Sequence, residues 1–211
     1  HFLPYIFNIS ADEARNDYMD IHGGNRELPA DATDKLVNSI KNIATSIEKI
    51  KLSAGWLKKL HSLNINFNLE PYSHFEDSKD LDKIKSSKKM LIHGDYQTNN
   101  IIIKDDKIWV IDFNDSAIDN PMIDVASFLG QLKTMLLRFS DVSQFPILEK
   151  AFLENYRENE PLSSDEKNDI KIYQKKYFEK IYKSLSASLE FFKDPRKDEI
   201  LLTVKKFIEE I

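Results

Sequence analysis

The segment Leu91-Ile92-His93-Gly94-Asp95-Tyr96-Gln97-Thr98-Asn99-Asn100 sets a polar loop after a short apolar run. It leads into two β-rich runs, Ile101–Ile103 and Ile108–Ile111, the second of which ends at Asp112. The polar stretch Lys104-Asp105-Asp106-Lys107 between those runs predicts a hairpin. A tight turn at Asp105-Asp106 would pair Ile101 with Val110 and Asn100 with Ile111, whereas a loop of Asp105-Asp106-Lys107 would set Asn100 opposite Asp112. Either register leaves Asn100 and Asp112 at the open end of the hairpin, where directly opposed side chains have Cβ atoms roughly 4.5–5.5 Å apart. An amide oxygen and a carboxylate at that separation can share a hard cation. Magnesium needs few protein oxygens, because waters and substrate phosphates fill its other positions. Asp95 opens the loop that Asn100 closes and so holds a second carboxylate near the metal without being a ligand. Phosphoryl transfer calls for these parts: cations that neutralise phosphate oxygens, and a base that orients the attacking hydroxyl.

The elements that must position these residues are mostly helical. Leu36, Val37, Ile40, Ile43, Ala44, Ile47 and Ile50 recur at three- and four-residue steps, which predicts an amphipathic helix from Asp31. A second helix is expected to start near Ser53, read as an N-cap, and to carry Trp56, Leu57, Leu60 and Leu63. Met90-Leu91-Ile92 reads as a short buried strand ahead of the loop. After Phe113 the pattern returns to helix. Pro121 suits a first helical turn, another helix follows Pro146, and Ser163 with Glu166 has capping-box spacing before a long helix through Ile170, Tyr177 and Leu185. Asp194-Pro195 precedes a last helix with Ile200, Val204 and Phe207. The expected fold class is therefore α+β and mostly helical, with one small hairpin. A two-stranded hairpin is marginal alone in water and must pack on helices or on another sheet.

Composition narrows the function classes. A content of 41% hydrophobic and 31% charged residues suits a globular domain and not a disordered tail. The net charge of −5, with Lys and Arg scattered along helices, argues against a nucleic-acid partner. Cysteine is absent, which excludes disulfides, thiolate metal sites and cysteine nucleophiles. No apolar run approaches the roughly 20 residues that span a bilayer, and His1–Ser10 lacks the features of a signal peptide. A cytoplasmic, membrane-free protein is expected.

His93-Gly94-Asp95, Asn100 five residues beyond the Asp, and Ile111-Asp112-Phe113 together resemble the aminoglycoside phosphotransferase and choline kinase family, whose fold is similar to that of protein kinases. Asn120-Pro121-Met122-Ile123-Asp124-Val125-Ala126 looks like that family's Asp-Pro-x-x-Asp-Leu-Ala segment. Gly55-Trp56-Leu57-Lys58-Lys59-Leu60-His61 resembles its helix ending in Leu-His. The likeness runs from about residue 53 to 130. It implies the C-terminal lobe of a protein-kinase-like fold with a catalytic hairpin over 101–112. Asp95 would be the base, Asn100 and Asp112 the Mg2+ ligands that bind the nucleotide, His93 a residue that orients the loop, and Asp124 a structural support beneath it. The implied substrates are ATP or GTP and a small hydroxylated molecule. Two departures stand out: Gln97-Thr98-Asn99 replaces a frequent His-Pro-Gly, and Asn120 replaces an Asp.

Other residues carry plainer expectations. His61 and His74 are expected at the surface or in packing, Tyr173, Tyr177 and Tyr182 in the core, and Lys175-Lys176 and Lys205-Lys206 on solvated faces. The N-terminal nucleotide lobe of such kinases, with its phosphate-covering loop and lysine, is not legible in residues 1–50. Residues 1–30 are expected to be a hinge or remnant segment and 31–211 the catalytic lobe. The chain is thus expected to be a piece of a longer enzyme and inactive by itself. The competing expectation is a degenerate kinase-like binding module without catalysis.

Overall fold

The computed structural model describes residues 43–64, 69, 72, 81–86, 88–104, 107–192 and 195–211. The expected hinge over 1–30, the start of the helix expected from Asp31, His74, the turn residues Asp105 and Asp106, and Asp194 lie outside the described residues. Helix α1 (Ile43–Ser62) comes first and strand β1 (Met90–Ile92) follows. The hairpin is β2 (Ile101–Lys104) and β3 (Lys107–Val110), and β4 (Ala117–Asp119) comes next. Helices α2 (Met122–Phe139), α3 (Phe145–Tyr156), α4 (Ser164–Phe192) and α5 (Lys197–Glu209) complete the chain. The fold is α+β and mostly helical, as expected, with two small antiparallel sheets among the described residues.

α1 is one helix where two were expected. Nothing between Ile50 and Ser53 breaks it, since Lys51 and Leu52 are both good helix formers. Ser53 is not an N-cap. It is buried in the helix interior, and its Oγ–H donates to the carbonyl of Lys49 at 3.0 Å, which satisfies the hydroxyl within the turn. Ile50, Ala54, Leu57 and Leu60 then form one buried stripe, packed on β1 and α3.

The hairpin adopts the two-residue-turn register, Ile101 with Val110 and Lys104 with Lys107. The ladder extends one step further, with the Ile111 N–H donating to the Asn100 carbonyl at 3.0 Å. β4 was not expected, because the chain was read as helical after Phe113. At three residues, Ala117-Ile118-Asp119 is too short to show a period, yet it pairs with β1 from Met90↔Asp119 to Ile92↔Ala117. The strand leading into the loop therefore has a partner of its own.

α2 is buried on nearly every side, with Val125, Ala126, Phe128, Leu129 and Leu132 fully enclosed, as befits a central helix. The Ser163–Glu166 capping box forms: the Ser163 N–H donates to Glu166 Oε2 at 2.9 Å, and the Glu166 N–H donates to Ser163 Oγ at 3.1 Å. Tyr173 and Tyr177 are core residues, and Tyr182 packs partly buried against a second cluster of Phe178, Leu185, Ile200, Val204 and Phe207 beneath α5. Among the described residues no helix is long and apolar enough to cross a membrane.

α2 approaches α4 closely at Gly130, where a Cβ would lie 2.5 Å from Cδ1 of Tyr177. Gly130→Ala should lower unfolding free energy by about 1–3 kcal/mol through overpacking. Urea unfolding checks this, and an unchanged midpoint would show that the two helices have room to part.

Candidate active site

The loop between β1 and β2 is held from below by one carboxylate. Asp124, in the first turn of α2, is fully buried. Its Oδ2 accepts from the His93 N–H at 2.7 Å, and its Oδ1 accepts from the Gly94 N–H at 2.9 Å. Those two N–H groups leave the β1 ladder as the chain turns, so they would otherwise be unpaired donors. His61, near the end of α1, adds a third contact at 3.0 Å from Nε2 to Asp124 Oδ2. Its Nδ1 lies 2.8 Å from the Tyr156 hydroxyl of α3. The Asp124 carboxylate can only accept, so the ring proton sits on Nε2 and Nδ1 accepts from the Tyr156 hydroxyl, which burial and then the charge of Asp124 keep protonated. His61 is 3% exposed, so the surface half of its expectation gives way: it is a buried link between α1, α2 and α3.

Gly94 is required by backbone conformation and by space. Its φ is +82°, and a Cβ there would meet the Asp115 carbonyl oxygen at 2.0 Å. The loop is thus pressed against the segment that follows the hairpin. His93 reinforces the contact. Its Nδ1 accepts from the Asp95 N–H at 3.3 Å, which leaves Nε2–H to donate to the Ile111 carbonyl at 3.0 Å. The ring lies 4.6 Å from Phe113. One histidine therefore ties the residue before Asp112 to Asp95.

The structure joins Asp95 and Asn100 directly. The turn Thr98–Asn100 brings Asn100 back, and its Nδ2 donates to the Asp95 carbonyl at 2.9 Å and to Asp95 Oδ2 at 3.0 Å. Gln97 Nε2 donates to the same Oδ2 at 2.7 Å. Asp112 reaches the open end of the hairpin from the other strand. It is one residue past the ladder rather than opposite Asn100, because the register pairs Asn100 with Ile111. Its φ of +65° turns the chain out of β3, a backbone choice costing roughly 1–2 kcal/mol for a residue with a Cβ. Its Oδ1 accepts from Asn114 Nδ2 at 2.7 Å, and the side chain is exposed.

The donor set suits a hard cation. With Nδ2 of Asn100 committed to Asp95, its oxygen is the atom left to bind, and Asp112 retains a carboxylate oxygen beyond the one bonded to Asn114. Among the described residues no group of three or more His, Cys, Asp or Glu side chains could hold a metal. That excludes a cage built wholly from such protein ligands there, but not an ion shared with substrate phosphates.

Several neighbours of the site carry little or no signal in the sequence. Gln97 stands out only as part of a departure from the family's loop pattern, and Gln131 has no periodic or motif signal. Asp169, fully buried in α4, accepts from the Lys85 and Ser86 N–H groups and from Asn120 Nδ2, each at 3.0 Å. This accounts for the amide at position 120. Asn120 Oδ1 accepts from the Met122 N–H at the start of α2, which an Asp could also do, but an Asp would face Asp169 with a like charge and no donor. The site opens onto an apolar rim, where Trp109, Ile111 and Phe113 are 46%, 40% and 44% exposed. Trp56 stacks on buried Tyr96 behind it and meets Phe113 at 6.2 Å.

The profile of the phosphotransferase enzyme family matches residues 54–162, just over half of the chain and the whole loop–hairpin site. A solved structure of an amicoumacin kinase in complex with AMP-PNP, Ca2+ and Ami is similar in fold, with a TM-score of 0.54 at 13% identity. The match covers 78% of this chain and 59% of that kinase, so the chain spans little more than half of its length. No curated protein matches the chain in sequence.

Asp124→Ala strips the acceptor from two buried N–H groups and from His61. A loss of several kcal/mol is expected, at roughly 1–3 kcal/mol for each unsatisfied group. Thermal unfolding checks this: stability within about 0.5 kcal/mol of the parent would mean the loop is held in place by other contacts.

Proposed function

The chain belongs to the phosphotransferase enzyme family, and on that premise we propose that it moves the γ-phosphate of ATP or GTP to a hydroxyl of a small molecule. The observation that carries the reading is the Asp95–Asn100 pair at the mouth of the hairpin, bonded side chain to side chain and braced from beneath by Asp124. Asp95 is the base. The acceptor oxygen attacks the γ-phosphorus as the bond from that phosphorus to the β-phosphate oxygen breaks. The hydroxyl proton passes to Asp95, and the nucleoside diphosphate leaves. Asn100 and Asp112 would hold magnesium, which supplies charge neutralisation on the phosphate oxygens when bound. The similarity to a kinase solved with AMP-PNP and Ca2+ supports the use of a nucleotide and a divalent cation.

His93 and Asp124 serve the reaction by position. Both hold the loop backbone, with the ring nitrogens of His93 and the carboxylate oxygens of Asp124 already engaged. Trp109, Ile111 and Phe113 are the expected wall for the nucleotide and for a covering lobe, since exposed apolar side chains grouped beside a polar site suit an interaction surface. The chain spans 59% of the kinase it resembles in fold. Positioning and electrostatics supply nearly all of the rate in such reactions, so the 211 residues by themselves are expected to turn over nucleotide slowly or not at all.

Asp95→Asn keeps the shape of the loop but cannot take the proton, so in the full-length protein kcat should fall about 10²–10⁴-fold with the fold intact. A variant that keeps more than half of the parent kcat would remove Asp95 from the mechanism. Asp112→Gly relieves the left-handed backbone while deleting the carboxylate. It should leave stability unchanged or raise it by about 1 kcal/mol, and abolish magnesium-dependent nucleotide binding. Calorimetry with and without magnesium decides the point, and undiminished affinity would exclude Asp112 as a ligand.

A further inference from the structure

We infer that Gln131 and Gln97 form a directional relay that fixes which carboxylate oxygen of Asp95 faces the acceptor hydroxyl. This inference rests on the reading of Asp95 as base. The relay begins at a group that can only donate, the backbone N–H of Thr98, which gives its hydrogen bond to Oε1 of Gln131, as does the Thr98 hydroxyl. Oε1 is thereby fixed as the inner atom of the Gln131 amide, and Nε2 points outward to donate to Gln97 Oε1 at 3.0 Å. Gln97 in turn has only one way to lie, with Nε2 donating to Asp95 Oδ2 at 2.7 Å. Amide orientation is ambiguous when a side chain is taken alone, but here each link is set by the one before it.

Two donors converge on Oδ2, because Asn100 Nδ2 reaches the same atom at 3.0 Å and is itself held by the Asp95 carbonyl. Oδ1 is then the oxygen available to an incoming hydroxyl. The inner part of the relay is buried, with Thr98 fully enclosed and Gln131 at 7% exposure in the central helix. A bonded chain in that setting does not swing freely. The relay also belongs to this loop sequence in particular. Where the family often has proline, Thr98 supplies an N–H, and a proline there would leave Gln131 without its anchoring donor. Gln97 and Gln131 are positioning residues: they act on the substrate through Asp95.

Two readouts separate the relay from the base assignment. Side-chain amide NMR of the 211-residue chain needs no turnover. Gln131→Glu keeps an acceptor for Thr98 but offers Gln97 no donor, so Gln97 Oε1 loses its hydrogen bond and faces a carboxylate, and the Gln97 amide resonances should move in this variant as they do in Asp95→Asn. Unmoved Gln97 resonances in Gln131→Glu would overturn the relay. The second readout is ADP release from magnesium-ATP by the full-length protein, with water as acceptor. Gln97→Leu and Gln131→Glu should each lower kcat about ten- to hundredfold with the nucleotide KM unchanged, and the double variant should be no worse than either. Unchanged kcat in Gln97→Leu, in an enzyme that Asp95→Asn silences, overturns the relay and spares the base. Activity that survives Asp95→Asn, with the amide shifts present, overturns the base and spares the relay.

Discussion

The carboxylate of Asp124 accepts hydrogen bonds from the backbone of His93 and Gly94 and from the ring of His61, with no exposure to solvent. A buried charge of this kind is costly unless it is hydrogen-bonded, and here the partners come from two parts of the fold, the loop and α1. His61 brings the end of α1, the loop brings β1, and Asp124 itself opens α2. The Tyr156 hydroxyl extends the network to α3. The segment that carries Asp95 and Asn100 is thus tied to three helices through one side chain. It can be short, polar and turned through a left-handed glycine without losing its position.

Packing extends that constraint in both directions. Rings run from the rim inward: Phe113 against His93, His93 edge-on to Tyr96, Tyr96 to Phe128, Phe128 stacked on Phe152, and Phe152 on Tyr156. Aromatic contacts of this type each contribute about 0.5–1.5 kcal/mol beyond the area they bury. The line ends at Tyr156, which meets His61 and so returns to Asp124. Burial is therefore greatest beneath the loop and falls off toward the exposed Asp112, Trp109 and Ile111. That gradient suits the proposed site, whose floor would hold still while ligands exchange above it.

The legible parts of the sequence were those written in local pattern. The apolar triplets of β1 to β3, the Pro121 and Pro146 helix starts and the Ser163–Glu166 cap all carry short-range signals, and each appears in the fold. Asp95 and Asn100 could be read together because five residues and one turn separate them. What could not be read depends on long-range partners. Ser53 looked like a cap because its i−4 bond to Lys49 leaves no trace in the sequence. β4 exists because β1 lies beside it. His61 becomes a linker only when Asp124, 63 residues away, arrives at its Nε2. Gln131 is one more polar residue on an apolar helix until the fold sets it against Thr98 and Gln97.

A crystal structure of the full-length protein with magnesium and a non-hydrolysable ATP analogue is the decisive measurement. The ion is expected on the side-chain oxygen of Asn100 and on the Asp112 carboxylate, with the terminal phosphate beside it and Oδ1 of Asp95 open toward the acceptor space. A nucleotide bound on another face, or an ion that touches neither Asn100 nor Asp112, would contradict that placement.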